Sequence, residues 1–360
     1  MSNITESLNQ RVVLISRADF TSEGQKEIIK AIMKIHGVDL LTKVEIIDEN
    51  DDYDSFLVEG GGFSFCVKIS FDQVPIFYEY MVLKGIEHLQ ISPFAVDRRE
   101  IEIGNRKVYY TIQNFEYSEN LFSSGKSSIL DIENSTFNQA IKLLHTYQPP
   151  KQVHEHLDDI SSYLNYNKVN FNNILQYIEE SEALEFNFIK SLYEEVYQDM
   201  NNFYLQNAGK LTLKNLVHGN LNSSTIIHNS NQFKFINFEN CFLGSPYFDL
   251  INLVFELQMS GMNEFDFITK KIKAYNLTEN RLKAGKQLEE YKVCKYIWTR
   301  KKFLDLICQY IKEILILNKT RQDKIYKLSH NFSNHFYRFN EINGFLKNKD
   351  IIVNKFSELL

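Results

Sequence analysis

The chain has 360 residues, 44% of them hydrophobic and 24% charged, with a net charge of -6 and a pI near 5.9. That length carries a sizeable core in roughly two or three lobes, and the composition excludes a disordered chain. The acidic balance excludes the electrostatic footprint of a duplex nucleic-acid binder, and no apolar run reaches the ~18 residues that a membrane span requires. No basic stretch followed by an apolar core opens the chain, so a cytoplasmic protein without a signal peptide is expected. Cys66, Cys241, Cys294 and Cys308 sit in apolar runs without a CxxC pair, which reads as free thiols in a reducing compartment.

Along the chain, residues 11–16 (Arg-Val-Val-Leu-Ile-Ser) read as a β-run and residues 21–35 as an amphipathic helix, together a strand/helix extension over residues 1–40. Strand-like pieces follow at 43–47, 55–59 and 63–70, the last two joined by Gly60-Gly61-Gly62, a structural turn for which glycine supplies the positive φ angles. Residues 72–89 read as a helix, with Pro75 in its first turn and Phe77, Tyr80, Met81 and Leu83 at apolar positions. Further strands near 101–103 and 107–112 turn through Gly104-Asn105, and residues 123–128 form a polar loop. A helix ends at Leu143-Leu144-His145, where His145 is expected to be packed and hydrogen-bonded. The chain from 149 to 207 is helical, with Leu164, Leu175, Leu184, Ile189, Leu192, Val196 and Tyr204 as buried candidates. Beyond Asp249, helices are expected at 250–259, 262–273, 280–317 (with a break) and from 319 onward. The basic runs at 270–273 and 300–302 read as solvated helix faces.

Residues 217–250, VHGNLNSSTIIHNSNQFKFINFENCFLGSPYFDL, stand apart from these patterns. They combine His218-Gly219-x-Leu221, an Asn237-Phe238-Glu239 nineteen residues after the histidine, and a closing Gly244-x-Pro246-x-x-Asp249-Leu250. This ladder resembles the active-site segment of aminoglycoside phosphotransferases and choline kinases. The resemblance is detailed over about 35 residues and coarser over roughly 40–320. It implies an α+β, two-lobed protein-kinase-like fold: a small β-rich N-lobe at 41–116, and a larger, mostly helical C-lobe at 117–360 that carries the 217–250 loop. It further implies that Lys68 is the phosphate-pairing lysine and Glu79 its helical partner. Residues 113–117, with Gln113 and Phe115, would be the hinge that meets an adenine.

In that family the loop supplies a catalytic Asp and a metal-binding Asn, and the strand end supplies a metal-binding Asp. Here the three positions are Asn220, Thr225 and Asn237. An amide cannot take a proton at neutral pH, and loss of a general base costs ~10²–10⁴-fold in rate. Magnesium prefers carboxylate oxygen, which leaves Glu239 as the nearby substitute for Asn237 and Thr225. Asp249 and Gly219 are expected to be structural, and His218 to bridge strand and loop. Where a phosphate cradle would stand, residues 48–54 carry five carboxylates in seven positions, a solvated acidic turn. At about 4 Å, two such charges repel by ~4 kcal/mol even at an effective dielectric of roughly 20.

The expectation is therefore a pseudokinase that binds or scaffolds, with no ATP or magnesium requirement and an unidentified protein partner or small ligand, no nucleic acid and no membrane. One alternative is an active ATP-dependent small-molecule kinase using Glu239 for metal. Another is a structural subunit of a larger assembly.

Overall fold

The first helix of the computed structural model, α1 (Ser22–Ile35), places Ile28, Ile29, Ile32 and Met33 on one stripe. The i, i+3/i+4 spacing puts them on one face, and burial of each side chain is worth roughly 1.5–3 kcal/mol relative to exposure. The model describes residues 22–49, 53–103, 106–115, 119–120, 135–155, 157–165, 168, 171–172, 186–222, 224–229, 232–258, 267 and 281–316. The β-run at 11–16, the Gly104-Asn105 turn, the loop at 123–128, Leu175, Leu184, nearly all of 262–273 and everything after 316 lie outside these residues.

The stripe on α1 packs on an antiparallel sheet of order β1-β2-β3-β5-β4, built from β1 (Leu41–Glu49), β2 (Asp54–Gly60), β3 (Phe63–Ser70), β4 (Ala95–Ile103) and β5 (Arg106–Asn114). Strand side chains alternate between faces, so Phe56, Val58, Val67, Ile69, Val108, Tyr110 and Ile112 meet α1. The register places Ser55, Lys68 and Thr111 in one rung on the opposite face and Leu57, Cys66 and Gln113 in the next. The glycine turn is structural: Gly61 and Gly62 have φ of +59° and +81°. β4 begins six residues earlier than the sequence suggested, because the charged run Asp97-Arg98-Arg99-Glu100 hides the alternation of an edge strand.

Helix α2 (Gln73–Ile86) is capped by Asp72, whose carboxylate accepts the Val74 N–H at 2.9 Å, and continues into a 3-10 turn at Glu87–Leu89. Its buried stripe is Ile76, Glu79, Val82, Leu83 and Ile86. Phe77, Tyr80 and Met81, expected inside, are half-buried, because the helix turns its Glu79 face inward to meet Lys68.

After the two-residue strand β6 (Glu119–Asn120) come α3 (Ser135–Thr146) and the single turn α4 (Lys151–His154). Helix α5 (Phe186–Asn207) leads to β7 (Asn215–Val217), β8 (Ile226–Asn229), β9 (Gln232–Phe235) and β10 (Phe242–Gly244), then α6 (Tyr247–Gln258) and α7 (Arg281–Ile316). β7 pairs with β10, and β8 with both β6 and β9.

Packing divides the chain into Met1–Asp158 with Leu213–Asn280, and Asp159–Thr212 with Arg281–Leu360. The boundaries expected at 40 and 116 fall inside the first unit. α1 supplies that sheet's core, and ion-pair contacts described below tie the 217–250 segment to β3 and α2.

In the second unit, α7 runs unbroken for 36 residues, about 54 Å at 1.5 Å per residue, where a break was expected. It contains no proline, and its one glycine, Gly285, lies in the first turns. Tyr291, Cys294, Ile297, Trp298, Leu304 and Ile307 carry a buried stripe along it, and Leu164, Leu192, Val196 and Tyr204 are buried in the same unit. The 300–302 run is not a solvated face. Arg300 Nε bonds Asp199 Oδ2 at 2.6 Å, and Lys301 Nζ bonds Asp305 Oδ2 at 2.7 Å and lies over the Tyr163 ring. None of the four cysteines is in a disulfide; Cys66 is partly exposed and the others are buried. No helix among the described residues is long and apolar enough to cross a membrane.

Candidate functional site

The 217–250 segment is organised around one carboxylate. Asp249 lies in the first turn of α6, where the helix dipole favours a negative charge. Its Oδ2 accepts the His218 N–H at 2.8 Å and faces His145 Nε2 at 2.9 Å, and its Oδ1 accepts the Gly219 N–H at 3.0 Å. His145, at the end of α3, is thus the packed, hydrogen-bonded residue expected. Gly219 has φ +81°, and a Cβ there would lie 2.0 Å from the Asn240 carbonyl oxygen, so only glycine lets the two backbones approach.

His218 is a strut. Its fully buried ring donates from Nε2 to the Ile236 carbonyl at 2.8 Å and stands 4.7 Å from the Phe238 ring. Burial lowers its pKa, opposed by Asp249, so the imidazole is held neutral. Its Nδ1 faces the Asn220 N–H at 3.4 Å. The ring therefore ties the His-Gly strand end to the strand end at Asn237.

The loop between them is closed by its own polar groups. Asn222 Oδ1 accepts the Ser224 N–H at 2.8 Å and the Thr225 N–H at 3.2 Å, an Asx turn, and Asn222 Nδ2 donates to Asn220 Oδ1 at 3.2 Å. Thr225 Oγ1 accepts the Asn222 N–H at 2.9 Å and lies 3.1 Å from the carbonyls of Asn220 and Asn222, to one of which it donates. Thr225 is buried, so the position read as a metal-ligand site turns its oxygen back into the loop. Asn222 escaped the sequence reading, although an asparagine two residues before a serine in a polar loop is a recognisable turn signal.

Opposite stands a buried ion pair. Lys68 Nζ bonds Glu79 Oε1 at 2.7 Å and Asn237 Oδ1 at 2.9 Å, and the Lys68 and Glu79 side chains are 2% and 1% exposed. Burial alone would lower the Lys68 pKa. Glu79, with smaller help from Tyr53 and Glu239, more than reverses it, and the ammonium stays charged. Asn237 adopts φ +67°, ψ +63°, a left-handed conformation that asparagine tolerates, and opens the 3-10 turn Phe238–Asn240. The structure thus places Lys68, Glu79, Asn237 and Glu239, all singled out in the sequence, beside one another.

The sequence reading missed Tyr53. This residue's ring lies 4.3 Å from Lys68 Nζ, and its hydroxyl donates to Glu239 Oε1 at 3.0 Å. The other Glu239 oxygen, Oε2, lies 3.8 Å from Lys68 Nζ and has no hydrogen-bond partner among the described residues. Burial pushes the Glu239 pKa up to about 7, against the pull of Lys68. Burial likewise pushes the Tyr53 phenol far up, so it remains a donor. Of the acidic stretch expected to be solvated, Asp54 is buried and accepts from Gln25 Nε2 at 2.9 Å, while residues 50–52 lie outside the described residues.

The hinge positions differ from expectation as well. Gln113 is inside β5, its backbone opposite Cys66 and Ala95, and its side chain is buried on the Lys68 face of the sheet. Phe115 commits its N–H to the Ser64 carbonyl at 3.1 Å. Glu116 and Tyr117 lie outside the described residues.

These groups do not fit a magnesium nucleotide in the expected manner. Asn237 Oδ1 accepts from an ammonium, Thr225 Oγ1 is enclosed by its loop, and Glu239 faces both a phenol and Lys68. A divalent cation at this carboxylate would meet the Lys68 charge at short range.

The chain is similar in structure to solved small-molecule phosphotransferases. A Plasmodium vivax ethanolamine kinase matches with a TM-score of 0.58 at 14% identity, over 81% of this chain and 84% of that one. A spectinomycin phosphotransferase solved with ADP and spectinomycin matches at 0.54 and 12%, over 86% and 93%. A choline/ethanolamine kinase family protein from Mesorhizobium loti matches at 0.51 and 12%, over 87% and 92%. No family model and no curated protein matches the chain. Identities this low establish the fold: a protein-kinase-like fold with a strand-rich N-terminal part and a helical C-terminal region.

Proposed function

We propose that this chain is a retired phosphotransferase, a pseudokinase that keeps the aminoglycoside-phosphotransferase and choline-kinase frame and acts as a binding or scaffold module. The observation that carries this reading is at Lys68. Its ion pair with Glu79 is one that an active kinase also needs; what speaks against transfer is that Lys68 also bonds an amide at Asn237, where magnesium would need a carboxylate. The base position is also an amide, Asn220, and its Oδ1 is turned to Asn222.

A second reading, an active kinase of an alcohol substrate, draws on Glu239 Oε2, a buried carboxylate oxygen with no hydrogen-bond partner among the described residues, from which a metal could be held. The two readings separate on two measurements. Under the first, ATP consumption stays at background with magnesium or manganese and a panel of aminoglycosides, choline, ethanolamine and sugars. Metal-dependent phosphorylation of any of them supports the second.

The variant Asn237→Asp sharpens the test. It adds a third carboxylate around one ammonium, so its thermal midpoint should drop and be restored by magnesium, while the wild-type midpoint is indifferent to the metal. A wild-type midpoint that rises with magnesium and ATP together would count against the first reading.

A further inference from the structure

We propose that Tyr53 is a built-in plug: its side chain occupies the space in front of Lys68, and a ligand that engages this lysine must first displace it. Tyr53 is 1% exposed. Its ring covers the ammonium and its hydroxyl reaches Glu239, across 186 positions of sequence. The backbone that follows it is fixed. Asp54 opens β2, pairs with Glu49 and Ile69 in the sheet, and is anchored by Gln25 of α1. That anchor sets the direction in which Tyr53 enters.

The seat is incompletely matched to its occupant. Glu239 Oε2, Ser55 Oγ and Gln113 Nε2 are buried without hydrogen-bond partners among the described residues. Ser55 and Gln113 lie on the same sheet face as Lys68, in its rung and the next. An unmet buried polar group is costly, so a ligand that satisfies these groups recovers what the displacement of Tyr53 loses. The chemistry on offer is an ammonium and an amide donor, a carboxyl acceptor and a hydroxyl. It suits a small polar ligand that carries both an oxygen acceptor and a hydroxyl or amine donor.

The test is the rate at which an amine-acetylating ester labels Lys68, read by peptide mass spectrometry on the full chain. Exposed Lys107 is the reference and buried Lys301 the control for general unfolding. In Tyr53→Ala, Lys68 should label on the order of tenfold faster than in wild type while Lys301 stays protected. If that variant exposes Lys301 too, Tyr53→Phe decides. It keeps the ring and loses the Glu239 bond, and should still raise Lys68 labelling selectively. An unchanged Lys68 rate with Lys301 protected in Tyr53→Ala overturns the proposal, as does an unchanged rate in Tyr53→Phe when that variant must decide. Because the readout is lysine access, a protein found to transfer phosphate leaves the plug standing, and failure of the plug leaves the loss of transfer untouched.

Discussion

Two carboxylates stand in the same segment and are treated in opposite ways. Asp249 has both oxygens filled by the N–H groups of His218 and Gly219 and by His145, at the start of a helix. Glu239 has one oxygen bonded to a phenol and the other, 3.8 Å from Lys68 Nζ, without a hydrogen bond among the described residues, and burial pushes its pKa up to about 7. The first serves the backbone, which any protein with this fold must position. The second lies two residues from Asn237, beside the Lys68 ammonium, whose pull on it is outweighed by burial. The backbone frame and the site groups are thus separable: the carboxylate that serves the backbone is fully partnered, and the one beside Lys68 is not.

The largest break in this comparison is expected from Asp249→Ala. It strands the N–H groups of His218 and Gly219 and the His145 ring inside the core, and should cost about 3–5 kcal/mol in denaturant unfolding. A loss no larger than that of Glu239→Gln would erase the contrast.

Glu239→Gln should instead change how stability depends on pH. The Glu239 pKa is raised from 4.5 to about 7, so the folded protein holds this proton more tightly than the unfolded chain does. Its contribution is then fully present below pH 4.5 and is lost as pH rises through 7, a span worth at most about 3 kcal/mol. His218 works in the other direction, since burial lowers its pKa and it adds stability as pH rises through 6.5. The difference between wild type and Glu239→Gln isolates the first effect: the variant should gain on wild type as pH goes from 4.5 to 8. A constant difference across that range would contradict the assignment.

The smallest effect sharpens the comparison within the loop. Thr225→Val removes a hydroxyl whose partners among the described residues all lie in the turn, and should cost about 1–2 kcal/mol without altering ligand binding. A binding defect larger than the stability loss would return Thr225 to the site.

How much of this was legible in the sequence follows the range of each interaction. The helix that starts near Asp72, the glycine turn at Gly60–Gly62 and the stripe on α1 depend on neighbours within one or two turns of chain, and their patterns are explicit. The Lys68–Glu79–Asn237 assembly was legible only because a resemblance supplied the three-dimensional order. Tyr53 had no such guide: it lies in an acidic stretch that reads as solvated, and its partners Lys68 and Glu239 are brought to it only by folding. Arg300 and Lys301 misread for the same reason, since a basic run on a helix does not reveal that Asp199 and Asp305 will meet it. The unbroken α7 and the early start of β4 depend on tertiary cover, which local propensity does not record.

The central claim is that the site holds ligands without transferring phosphate, and calorimetric titration with ATP, with and without magnesium, alongside a turnover assay on the same sample, tests it most directly. The account predicts that magnesium adds nothing to binding and that no phosphate is transferred to any alcohol offered. Binding that requires the metal, followed by appearance of ADP and a phosphorylated alcohol, would contradict it.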